Sequence, residues 1–129
     1  MADRTELLEF RPLIPTIETS LMMSPEEVFQ NETLRPILKY QHALLLQIFE
    51  HYLQERRMNL TKMAQKQRLD WVKNTIQKDI ALSNLLLGSV IGHFTGTELS
   101  TYLQHEKSLR KRIKSLIIQR IQSVFKDDH

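Results

Sequence analysis

The groups in this chain able to do metal or acid–base chemistry are imidazoles, carboxylates and phenols, because five histidines occur and no cysteine does. His42 and His51 are nine residues apart, and at about 100° per helical residue they fall on opposite faces, so they cannot share an ion. His51 and Glu55 are one turn apart and offer two ligands. The Glu-x-x-His repeats of di-iron bundles and the His-Glu-x-x-His of zinc proteases are both missing, so no metal site is expected. The densest polar grouping is Glu98, Tyr102 and His105, with His93 just before them, and such groups suit general acid–base work. No oriented nucleophile or phosphate loop accompanies them. No residue is therefore assigned as catalytic, no cofactor is expected, and catalysis is disfavoured.

All three glycines, Gly88, Gly92 and Gly96, lie in the stretch LLLGSVIGHFTG. A glycine inside a helix costs about 1 kcal/mol relative to alanine, so something should offset it. The spacing of Gly88 and Gly92 suits close approach of a second helix. The alternative is a bare cavity floor, giving a small-molecule or lyase-type site from Gly88, Gly92, His93, Tyr102 and His105. Gly96 is expected in the left-handed conformation that ends a helix, with Thr97 capping the next one.

A third feature is the row Lys107, Arg110, Lys111 and Lys114, which helical spacing aligns on one stripe. Such a stripe can meet phosphates, and the turn at residues 95–97 loosely suggests a helix-turn-helix. No aromatic residues interleave the stripe to stack bases. A solvated face, or a surface meeting an acidic region, is the plainer reading, with nucleic-acid binding the alternative.

These residues need helices to position them. With 3 glycines and 4 prolines among 129 residues, turn formers are scarce, and every proline lies within the first 36 positions. Residues 1–23 read as an extended arm with a short turn at residues 5–10, and its apolar side chains should pack on the body or on a second subunit. Ser24-Pro25-Glu26-Glu27 is a helix start of the capping-box type. That helix should be brief, because residues 31–33 offer a new cap before Pro36. Apolar residues at helical spacing then predict a helix from Leu34 to about Arg57 and another from about residue 62 to Ile91, whose second half should be buried all round. The last helix should run from Thr97 to about Phe125.

The expected fold is all-α: one domain, 1–129, comprising the arm (1–23) and a bundle (24–129) of three long antiparallel helices plus a short N-terminal one. The chain is long enough to bury one core without disulfides. Charge is uneven: residues 1–55 carry 4 basic and 9 acidic side chains, residues 56–129 carry 14 and 6. Such asymmetry fits an anionic partner or, as the plainer reading, two regions that attract each other within the fold or across a dimer. The acidic start, with Asp3, Glu6 and Glu9, is unlike a secretion signal and points to the cytoplasm. The apolar run from Ile80 to Phe94 is too short to span a membrane, so no membrane partner is expected.

The runs VFQNETLRPILKYQHALLLQIFEHYL (28–53) and IQKDIALSNLLLGSVIGHFTGTELSTYL (76–103) resemble a small family of uncharacterised bacterial helical proteins, some labelled glyoxalase. That label implies a β-rich domain with Glu and His metal ligands, which this sequence does not offer. The resemblance carries over no functional residue. The reading that results is a non-enzymatic interaction module, a homodimer or a partner of another protein.

Overall fold

The computed structural model describes residues 3–13 and 23–127. Helix accounts for 80% of it, and no strand occurs among the described residues. The α-helices are α1 (Pro25–Phe29), α2 (Arg35–Tyr40), α3 (His42–Glu55), α4 (Gln65–Lys78), α5 (Ile80–Ile91), α6 (Gly96–Gln104) and α7 (Glu106–Val124). The all-helical class is as expected, whereas the long helices are broken more often than periodicity alone implies.

The expected helix 34–57 is divided at Gln41, and several of the other boundaries have a local cause. Ser24 accepts from the Glu27 N–H at 3.2 Å and starts α1 as its sequence requires. The helix does not stop at residue 31. A π turn, Gln30–Leu34, joins α1 to α2, with the Arg35 N–H reaching back to the Gln30 carbonyl. Widening the helix ahead of Pro36 accommodates a residue that brings no N–H and whose ring would crowd the preceding turn.

α3 ends in a Schellman arrangement, with Arg57 at φ 52° and the Met58 N–H on the Leu53 carbonyl at 3.0 Å. The expected helix 62–91 is divided at Asp79, which adopts extended backbone and caps α5 by accepting from the Leu82 N–H at 3.1 Å. The expected helix 97–125 is likewise divided at His105. Its cap is Thr95, not Thr97, and Gly96 is the first helical residue, without positive φ.

Side-chain pairings fix directions. Arg68 meets Asp127 at 2.8 Å and Gln122 donates to the Leu69 carbonyl at 2.9 Å, so α4 and α7 run oppositely. Gln41 to the Ser89 carbonyl, 2.9 Å, and Tyr52 to Asp79, 2.7 Å, set α3 against α5 in the same way. The core lies between these four helices, where Leu45, Phe49, Val72, Leu86, Leu109 and Ile113 are sealed from solvent. Phe49 sits at its aromatic centre, 5.9 Å from Phe125 and 6.3 Å from both Tyr52 and Trp71.

The apolar part of the arm expected to pack, residues 14–22, lies outside the described residues. The 3-10 turn Thr5–Phe10 is present, but Leu8, Phe10 and Leu13 are exposed; the Phe10 ring lies 6.1 Å from that of Tyr40, and polar contacts also hold the arm.

Candidate functional site

The polar cluster legible in the sequence surrounds the turn between α5 and α6. There the Thr95 hydroxyl accepts from the Glu98 N–H at 3.2 Å and the Glu98 carboxylate accepts from the Thr95 N–H at 2.9 Å, a complete capping box. The arm closes over this turn. Arg11 donates to both oxygens of Glu98 at 2.5 Å and to the His93 carbonyl at 2.7 Å, Arg4 donates to the Gly92 carbonyl at 2.5 Å, and the Gly96 N–H donates to the Asp3 carbonyl at 2.7 Å. The Arg11 and Glu98 side chains are 8% and 16% exposed.

Thr33 adds a fourth donor to Glu98 at 3.2 Å, so two arginine N–H groups, a backbone N–H and a hydroxyl fill the lone pairs of one carboxylate. Burial pushes this carboxyl up, but the hydrogen bonds from Arg11, Thr95 and Thr33 outweigh it and hold it below its ordinary range. A carboxylate so occupied is structural and has no site left for a substrate proton.

The neighbouring groups diverge instead of converging. His93 packs its ring 5.4 Å from Tyr40, and burial, then the Arg11 and Arg4 charges, lower its pKa. Tyr102 is buried against Phe94 at 5.6 Å, its phenol pushed up by burial and by Glu106. His105 stands at the α6–α7 break with Nδ1 3.0 Å from Glu26. Gly88 is exposed, and a Cβ there would meet nothing within 4 Å among the described residues, so none of their helices packs on it. Gly92 caps the end of α5, where a Cβ would come 3.1 Å from the Gly88 carbonyl. His51 and Glu55 lie 3.7 Å apart in solvent, and no group of three or more metal-ligating side chains occurs among the described residues. His42 Nδ1 accepts from Arg120 at 3.3 Å, which assigns it to helix packing.

Of the grooves elsewhere among the described residues, two bear on function. The first, about 770 Å³, runs between α3 and α5, with Leu44, Ile48, Ala81 and Leu85 along it and Glu50, His51, Glu55 and Arg56 at its rim. Tyr52 and Asp79, joined by their hydrogen bond, also line it, and the Arg56 guanidinium lies 3.6 Å from the Tyr52 ring. The Tyr52 hydrogen bond, followed by the Leu82 N–H, holds the Asp79 carboxyl below its ordinary range. The expectation that α5 is buried all round fails here: Ile80 is 75% exposed and Leu85 57%, because α3, α4 and α7 pack on its inner side only.

The second groove, about 580 Å³, lies between α4 and α7 and is lined by Lys73, Gln77, Lys111, Lys114, Ser115, Ile118, Gln119 and Gln122. The basic stripe read from sequence is thus divided. Lys111 and Lys114 enter the groove, Arg110 turns aside to donate to Asn84 of α5 at 2.8 Å, and Lys107 is exposed one turn earlier. Lys73 and Gln77, which sequence reading missed, join from the opposite helix. Only the α4–α7 register could have found them, since Lys73 alone looks like any exposed lysine. No family model, curated protein or solved structure matches the chain.

Proposed function

We propose that this protein is a self-associating interaction module whose α3–α5 face packs on the same face of a second copy. The observation that carries this reading is the apolar lining of that face: Leu85 of α5, 57% exposed, and Leu44 of α3, 42% exposed, with Ile48 and Ala81 beside them. A contiguous apolar patch with a polar rim is the usual mark of an interface. The rim carries both signs, Glu50 and Glu55 beside Arg56, so a two-fold related copy can set acid against base. Gly88 extends the same side of α5 with bare backbone, which lets an opposing helix come close. This also gives the glycine a reason that packing within one chain does not. On this reading the helices are a bundle left one face short.

Light scattering of the purified protein is expected to give a dimer, and Leu85→Glu a folded monomer. Leu44→Glu, on the other wall, should act in the same direction. A monomer at every attainable concentration, or a dimer indifferent to both substitutions, overturns the reading.

A further inference from the structure

The α4–α7 groove has a different chemistry and lies apart from the apolar face. We propose that it binds the phosphate backbone of double-stranded nucleic acid, without reading base sequence. Lys73, Lys111 and Lys114 line it with no ion-pair partner among the described residues, and no carboxylate lines it. Holding three like charges together in one groove costs repulsion that a series of bound anions removes.

The remaining lining selects the occupant. Gln77, Ser115 and Gln119 supply neutral hydrogen-bond donors between the lysines, which is the side-chain set that contacts phosphate and sugar oxygens. From Lys111 to Gln122 the α7 wall is about 16 Å long at 1.5 Å per residue, enough for several successive phosphates rather than one. An acidic protein helix needs apolar anchors, and the apolar lining here is Ile118 alone, itself buried. A bilayer presents a flat surface that cannot enter a concave groove. Among the described residues no aromatic side chain lines it for base stacking, so a duplex backbone fits better than a single strand. Lys107, exposed one turn earlier on α7, continues the row towards the next phosphates.

Fluorescence anisotropy of the full chain with labelled mixed-sequence duplexes tests this, with DNA and RNA in separate arms. With three phosphate contacts, affinity should fall roughly 40-fold between about 50 and 200 mM salt. Lys73→Gln/Lys111→Gln should weaken binding about tenfold or more and lower the logarithmic salt slope by about 2, while the charge-matched Lys39→Gln/Lys62→Gln should change much less. Circular dichroism checks that both variants fold. Binding by DNA, RNA or both with this pattern supports the proposal. Failure to bind either duplex at the lowest salt, equal losses in the two double variants, or tighter binding of single strands or an acidic peptide overturns it. A monomeric protein that still binds duplex would separate this inference from the self-association reading.

Discussion

The clasp at the α5–α6 turn and the groove between α4 and α7 handle positive charge in opposite ways. At the clasp, Arg11 meets Glu98 and the His93 carbonyl, and Arg4 meets the Gly92 carbonyl. In the groove, Lys73, Lys111 and Lys114 meet no acid of the described residues. For Arg11 the difference follows from burial. A guanidinium taken out of water must be paired and hydrogen-bonded, whereas lysines at the rim of an open groove stay solvated and keep their charge for a partner. Charge therefore stabilises the fold at the turn and remains available in the groove.

The largest effect should come from breaking the clasp. Glu98→Ala leaves Arg11 buried without its counter-charge and removes the α6 capping box, so stability should drop by about 3 kcal/mol, seen as a melting temperature lower by roughly 10 °C. A change below about 1 kcal/mol in chemical denaturation would mean that the arm contributes little to the fold.

Next come two backbone positions. Arg57 holds the left-handed conformation that ends α3, and Arg57→Gly should stabilise the protein by about 1 kcal/mol. Gly88 sits inside α5 with open space at its Cβ position, so Gly88→Ala should gain about 1 kcal/mol in the monomer. If Gly88→Ala at the same time loosens the dimer, the bare backbone serves the interface.

A smaller effect is pH-dependent. Burial, then Arg11 and Arg4, lower the pKa of His93, so the unfolded chain binds a proton before the folded one does. Stability should therefore be lost as pH falls below the ordinary histidine value of about 6.5, and His93→Gln should flatten that region of the curve. Glu98, held below its ordinary range, adds a second loss at more acidic pH through the same linkage, and His93→Gln should leave that one in place. The smallest effect should be at the groove: Lys73→Gln/Lys111→Gln is expected to move stability by less than about 0.5 kcal/mol, because neither lysine has an ion-pair partner among the described residues. A clear gain would report relief of repulsion and sharpen the case for an anionic ligand.

The sequence by itself determined the helical class, the α1 start at Ser24 and the end of the last helix near Phe125, because capping chemistry and apolar periodicity act over a few residues. It also marked Glu98 and the basic residues of the last helix as special. Only the tertiary structure decided what they do. Glu98 looked able to act as a base until Arg11, 87 positions away in sequence, was seen to saturate it. The row of four cations was split by the angle at which α7 meets α4 and α5, a consequence of side-chain packing that no local pattern encodes. The breaks at Asp79 and His105 were hidden for the same reason: periodicity continues across them, and what stops the helix at Asp79 is a carboxylate engaged with Tyr52 of another helix and the Leu82 N–H. Apolar content likewise said that α5 is hydrophobic all round, but the number of helices available to cover it is a property of the assembled fold.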